Sequence, residues 1–191
     1  GERIVIHTGA AEGPRLAALE AASGRTVWTA DVPNTYRNAP GFLDAGGGTV
    51  LYHHVKDPEA SGITALDAVT GTVRWQIDGS QGASATVPVS AGSGRLLLER
   101  WPHTTLYEVG TKKPLWTTRE MVALDSPAVP YNGHVYGFGG QSGEFLVCLN
   151  AAHGQVKWSS RIYRGHLLLA GDTLVVLSSA AGLVRLVSAD P

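Results

Sequence analysis

Apolar residues in this chain come in short runs, each soon closed by glycine, proline, asparagine, aspartate or serine. Residues 63–75, ITALDAVTGTVRW, show the unit. Ile63, Ala65 and Asp67 alternate with Thr64 and Leu66, a Thr-Gly pair follows, and a second short apolar run ends at Trp75. Alternation with period two predicts a strand, and Asp followed by Thr-Gly predicts a turn. Asp, Asn or Glu can bond turn amides, and glycine accepts the positive φ that a bulged turn needs. The phrase therefore reads as strand, turn, strand. A helical period is nowhere sustained. LAALEAASG at 16–24 comes closest, but it aligns with ITALDA and LVCLNA, which are poor helix sequences, so it too reads as a strand.

The phrase recurs. LAALEAASGRTVW ends at Trp28, ITALDAVTGTVRW at Trp75, TTLYEVGTKKPLW at Trp116 and LVCLNAAHGQVKW at Trp158. Nine residues before each Trp stand Leu19, Leu66, Tyr107 and Leu149, followed by Glu20, Asp67, Glu108 and Asn150. Four before stand Gly24, Gly71 and Gly154; the third copy has Lys112 there, with its glycine displaced to Gly110. A fifth copy begins at GLVRLVSADP. Upstream of each phrase lie two more strand candidates, such as SPAVPYN and GHVYGFGG, or GHLLLAG and TLVVLSS. Four short strands per repeat of about 42 residues is the signature of a β-propeller blade, which must stack on its neighbours to bury both faces.

The repeat resembles the pyrroloquinoline quinone (PQQ) repeat superfamily of eight-bladed propellers, both its quinoprotein-like and its BamB-like members. The family pattern Gly-x-x-x-Ala-Leu-Asp-x-x-Thr-Gly-x-x-x-Trp is matched well by copy two. The resemblance implies an all-β fold of four-stranded antiparallel blades, with Trp28, Trp75, Trp116 and Trp158 buried and packed between adjacent blades. Blade repeats are expected at roughly 1–32, 33–79, 80–120, 121–162 and 163–191. Copy one lacks its first strand and copy five its last. Eight blades need roughly 340 residues at this period. The expectation is therefore a partial ring of about four to four and a half blades, whose open faces are covered by the remaining blades or by a partner.

Composition narrows the function. The net charge of −1, with lysine and arginine scattered, gives no basic stripe for nucleic acid. One cysteine excludes an internal disulfide framework and a four-thiolate zinc site. No apolar stretch approaches a membrane span. The resemblance implies a periplasmic or extracellular protein, with any signal or lipid anchor outside this segment.

Candidate chemistry is sparse. Quinoprotein dehydrogenases hold their quinone beneath adjacent cysteines with a bound calcium. Here Cys148 stands alone, at the position of Ala18, Ala65 and Leu106 in the other copies, so it reads as a small inward hydrophobe. No cofactor is expected, and PQQ with calcium belongs only to the alternative that this is part of a quinoprotein-like oxidoreductase. His53 and His54 are adjacent and point to opposite faces of a strand, and no His spacing suits zinc, so no metal is expected. No nucleophile–base–acid set is present. Trp101 falls outside the Trp register, beside Arg100 and His103, as an edge cap or an exposed contact residue.

The stronger candidates are positional. In propellers the connection from one blade's outer strand to the next blade's inner strand lies on the channel face. These connections carry Tyr36, Arg37, Asn38, Ser84, Thr86, Asp125, Ser126, Tyr163, Arg164 and His166, most of them at a shared offset from their Trp. Polar and aromatic loop residues suit a binding site, and Tyr and Arg anchor interfaces. The expected function is a non-catalytic scaffold that binds a protein partner or peptide segment through this face. A sensor propeller attached to a kinase or other domain is the remaining alternative.

Overall fold

The computed structural model describes residues 2–9, 13–32, 41–43, 48–57, 60–80, 87–92, 94–122, 126–178 and 182–190. The chain divides into two compact units, Gly1–Ala83 and Ser84–Pro191. Each is built from antiparallel meanders, and no helix occurs among the described residues.

The first unit holds two sheets. One is three-stranded, β1 (Arg3–His7), β2 (Leu16–Glu20) and β3 (Thr26–Ala30). The other is four-stranded, β4 (Gly41–Leu43), β5 (Thr49–Asp57), β6 (Ala60–Asp67) and β7 (Val73–Ser80). The second unit holds three sheets. The first comprises β8 (Val89–Ser90), β9 (Arg95–Arg100), β10 (His103–Glu108) and β11 (Lys113–Thr118). Next come β12 (Val129–Tyr131), β13 (His134–Gly139), β14 (Phe145–Asn150) and β15 (Val156–Ser160). The last has β16 (His166–Ala170), β17 (Thr173–Ser178) and β18 (Leu183–Ser188). LAALE is a strand, as its alignment with the other copies implied.

The repeat phrase has one geometry in four sheets. Trp28 pairs with Ala18, Trp75 with Ala65, Trp116 with Leu106 and Trp158 with Cys148. Immediately after each of these pairs the register shifts at a bulge. The turn that follows is closed from its fifth residue back to its first: Gly24, Gly71, Lys112 and Gly154 donate their N–H to the carbonyls of Glu20, Asp67, Glu108 and Asn150, each at 2.8 Å. That closure forces the fifth residue into the left-handed region, with φ of 71°, 75° and 70° at the three glycines. In the third copy Lys112 takes this conformation itself, at φ 58°. The displaced Gly110 therefore does not substitute for the missing glycine. The turn's position, fixed by the bulge, decides which residue is strained.

Side chains finish the turns according to their length. The Asp67 carboxylate accepts from the N–H groups of Val69 and Thr70 at 2.7 and 2.8 Å, and Asn150 accepts from Ala152 at 2.8 Å. Glu108, one methylene longer, accepts instead from the Thr111 hydroxyl at 2.9 Å. Arg74 reaches back to Asp67 with Nε at 3.1 Å and Nη2 at 2.5 Å. This fork and the turn amides hold the Asp67 carboxyl well below the usual carboxylate range.

Within each unit the sheets share cores. In the first, Leu16, Ala18, Trp28, Ala30 and Val32 pack with Leu66. In the second, Leu97, Leu106 and Trp116 pack with Val135, Val147 and Leu149. Tyr136, Phe138, Leu146 and Cys148, on the opposite face of that same sheet, pack with Leu167, Leu174 and Val176. Burial on both faces explains why LVCL, residues 146–149, is uninterruptedly apolar rather than alternating.

The tryptophans use the neighbouring turns. The Trp28 indole N–H donates to the Ala68 carbonyl at 3.1 Å, and a Cβ on Gly71 would stand 2.6 Å from the Trp28 ring. Trp116 donates to Ala151 at 2.9 Å, and a Cβ on Gly154 would stand 2.7 Å from its ring. Both rings are buried. Trp75 and Trp158 are half-buried, short of the burial expected for all four. Beside Trp158 the Ala189 carbonyl accepts from the Tyr136 hydroxyl.

The inter-sheet connections as a candidate binding face

In each four-stranded sheet, antiparallel order puts the ends of the second and fourth strands at one edge. That edge gathers the connections to the next sheet and the hairpin turns after β9 and β13. The glycine turns of the repeat phrase lie at the opposite edge. Of the residues selected by sequence, Tyr36, Arg37, Asn38, Ser84, Thr86 and Asp125 lie outside the described residues. Ser126, Tyr163, Arg164 and His166 are described, all in the second unit.

Two connections meet there. In the 119–128 connection, Met121 and Val122 are buried, Val122 N–H donates to the Phe138 carbonyl at 2.8 Å, and Thr104 Oγ1 donates to the Met121 carbonyl at 2.6 Å. The buried Ser126 hydroxyl accepts from the Leu167 N–H at 3.0 Å, tying this connection to the first strand of the following sheet. Glu99 Oε2 accepts from the Ala128 N–H at 2.8 Å. Ser126 is therefore a fixing residue, not an exposed contact.

The 161–165 connection is pinned at three points. Ile162 is buried in the core, and Arg164 N–H donates to the Gly143 carbonyl at 2.7 Å. Gly165 lies so close to β17 that a Cβ would stand 1.8 Å from the Leu177 carbonyl oxygen. Between these anchors Tyr163 is 49% exposed, and Arg164 and His166 are exposed beside it. Ser126, Tyr163, Arg164 and His166 thus share one edge, brought together by the Ser126–Leu167 bond. An exposed aromatic ring and a guanidinium on a backbone this constrained lose little freedom on binding.

The same edge carries residues that sequence reasoning noticed without assigning. Trp101, in the turn after β9, is 46% exposed. His103 follows it, and Arg119 Nε donates to His103 Nε2 at 2.9 Å. A shallow groove of about 260 Å³ lies beside Glu120, Phe145, Val147 and Val156.

Among the described residues no three His, Cys, Asp or Glu side chains form a metal-holding group. Cys148 is fully buried, paired with Trp158, and burial pushes its thiol up, opposed in part by the Tyr136 hydroxyl.

Comparison with known proteins agrees with this architecture. A family model described as outer membrane protein assembly factor BamB matches residues 1–190. Among solved structures, BamB from Moraxella catarrhalis superposes with a TM-score of 0.69 at 21% identity, covering 98% of this chain and 58% of that one. The computationally designed Ika8 protein gives 0.71 at 13% identity, covering 98% and 56%. Quinohemoprotein alcohol dehydrogenase ADHIIG from Pseudomonas putida HK5 gives 0.61 at 15% identity, covering 94% and 40%. The chain thus spans little more than half the length of the BamB and designed chains. No curated protein sequence matches it. The fold is that of a β-propeller built from four-stranded antiparallel blades.

Proposed function

The chain belongs to the PQQ-repeat family of outer membrane protein assembly factor BamB, and from that premise we propose that it is a non-catalytic scaffold that binds a protein partner through the connections at one edge of its sheets. The observation that carries this reading is the 161–165 connection. Its backbone is held by Ile162, the Arg164–Gly143 bond and the close approach of Gly165, and it presents Tyr163 outward. A rigid loop with an exposed Tyr beside an Arg is what an interface anchor needs. Arg164 draws an acidic or carbonyl-rich segment to the same edge. The family's membrane-assembly description favours a periplasmic location.

Among the described residues, the surroundings of Cys148 do not suit the quinone of the enzymatic PQQ proteins. A thiol buried between a core tyrosine and tryptophan cannot stack on a ligand, and it has no second cysteine beside it.

The test is a photo-crosslinking amino acid placed at Tyr163 and, as a control at the opposite edge, at His153, which is also exposed. In cell envelopes the 163 variant should give a discrete protein adduct that Arg164→Glu abolishes, while the 153 variant gives none. Equal adducts from both positions, or none from 163, would refute the assignment of this edge.

A further inference from the structure

The groove of about 260 Å³ beside Phe145 runs along β14 and β15, where the 119–128 connection leaves the β8–β11 sheet. Glu120, Gly140, Phe145, Val147, Val156 and Ser159 line it, all in the second unit and all described. Both sheets that bound it are four-stranded. The register explains its shape. Val147 pairs with Ser159 and Leu149 with Val156, and alternation along β14 puts Phe145 on the face of Val147. Val147 is buried, whereas Phe145 and Val156 are 40% and 42% exposed.

Glu120 faces this apolar strip from a held backbone. Its N–H donates to Thr118 Oγ1 at 3.2 Å, and the next residue, Met121, is buried against Gly137. A Cβ on Gly139 would collide with the Glu120 carbonyl oxygen, so glycine there makes room for the connection. The Glu120 side chain stays exposed at the groove. A second carboxylate stands over Gly140. A Cβ on that glycine would collide with Glu144 Oε2 and lie 3.2 Å from Phe145 Cδ2, so the carboxylate and the ring sit side by side. Glu144 Oε2 accepts from the Ser142 N–H at 3.0 Å. Its own N–H and that of Ser142, with a smaller contribution from Arg161, hold its carboxyl below the usual carboxylate range. Neither Glu120 nor Glu144 forms an ion pair among the described residues. Arg119, beside Glu120, is bonded to His103.

We propose that this groove receives a basic side chain of a protein partner, its aliphatic stem on Val147 and Val156 and its charged end directed to the Phe145 ring and the Glu120 and Glu144 carboxylates. The proposal rests on the scaffold reading and names the side chain the partner must bring. Charge decides the occupant. Two carboxylates repel an acidic or phosphorylated group. A purely apolar side chain would take water from them without replacing it. A lysine or arginine answers both surfaces, because its methylenes cover the apolar strip while its head stays at the rim. A cation over an aromatic ring gains further from the ring's negative face. The groove is also continuous with the Tyr163 edge. Arg164 N–H is bonded to the Gly143 carbonyl, in the same turn that carries Gly140 and Glu144, so one partner segment can meet both.

The experiment labels the full chain with 4-fluorophenylalanine. Phe42, Phe138 and Phe145 give three ¹⁹F resonances, and that of Phe145 is the one lost in Phe145→Leu. The probes are four short end-blocked peptides that differ at one central residue, arginine, lysine, norleucine or glutamate, with calcium chloride as a bare cation. The arginine and lysine peptides should shift the resonance saturably and about five-fold or more tightly than the norleucine peptide, and the glutamate peptide should not shift it. Glu120→Gln should weaken arginine-peptide binding about three-fold, the scale of one exposed ion pair, and added salt should act in the same direction. Glu120→Gln combined with Glu144→Gln should bring the arginine peptide down to the norleucine level. Glu120 is exposed, so its single variant should keep the parent's urea midpoint and decides the question if the double variant fails to fold. Norleucine binding as tight as arginine would show a groove without charge selection and overturn the proposal. So would a resonance indifferent to all four peptides, an arginine affinity unchanged in Glu120→Gln, or a response to calcium chloride as tight as that to the arginine peptide. Capture at Tyr163 with no arginine-peptide response would sink this groove and leave the scaffold reading standing. Arginine-peptide binding here without any capture at Tyr163 would do the reverse.

Discussion

Replacing Gly71 by alanine separates two costs that this fold combines at one atom. Gly71 and Gly24 hold the same place in the repeat turn and nearly the same φ, 75° and 71°. An alanine at either position pays about 1–2 kcal/mol for the left-handed conformation. They differ in surroundings. At Gly24 a Cβ meets nothing within 4 Å, whereas at Gly71 it stands 2.6 Å from Trp28 Cδ2 and Cε3. The Trp28 ring cannot withdraw freely, because its indole N–H is bonded to Ala68 and its face lies against Leu66 and Ala18. Overpacking of this kind costs about 1–3 kcal/mol. Gly71→Ala should therefore lose about 2–5 kcal/mol and Gly24→Ala about 1–2. Urea unfolding followed by circular dichroism measures both, and Trp28→Leu in the Gly71→Ala background should recover part of the difference. Equal losses at the two glycines would refute the claim that the turn is a seat for the preceding sheet's tryptophan.

Other consequences follow from the same geometry. Lys112→Gly should stabilise the chain by about 0.5–1 kcal/mol, the left-handed cost less the extra chain entropy of glycine, while Gly110→Ala should be nearly silent in the same urea assay. Asp67 has its folded-state pKa depressed, so its contribution is present above the ordinary carboxylate range and is lost as pH falls through the folded value. Asp67→Asn should therefore lower the midpoint at neutral pH, with the gap to the parent closing in acid; a gap that persists unchanged in strong acid would contradict the Arg74 pairing. Cys148 should react slowly with a thiol reagent in the folded chain and quickly in denaturant, and rapid modification of the folded chain would contradict its place in the core.

The sequence announced this fold through its repeat. Aligning the four tryptophans placed Cys148 with Ala18, Ala65 and Leu106, and these four residues are the cross-strand partners of the tryptophans. It also separated LAALEA from a helix, which local propensity alone would have favoured. Other features depend on three-dimensional closure. Gly110 drew attention in the third copy because glycine is the usual left-handed residue, but the bulge assigns that conformation to Lys112. The burial of Trp158 depends on what covers its ring, which no local pattern encodes.

The site was legible only in outline. A shared offset from the blade tryptophan pointed to Ser126, His166 and, a little out of register, Arg164, and Tyr163 stood out as half of a Tyr-Arg pair; these four lie on connections at one edge in the second unit, while the other selected residues lie outside the described ones. Their separate roles were not readable, because Ser126 is turned inward by a bond to Leu167, forty-one residues away, while Tyr163 is held outward by anchors on both sides.

Hydrogen–deuterium exchange on the protein with and without the partner captured at Tyr163 tests the central claim most directly. The scaffold account predicts slowed exchange in 119–122, 126–128 and 161–166, with the turns at 21–24 and 151–154 unchanged. Protection confined to those turns, or exchange identical with and without partner, would contradict it.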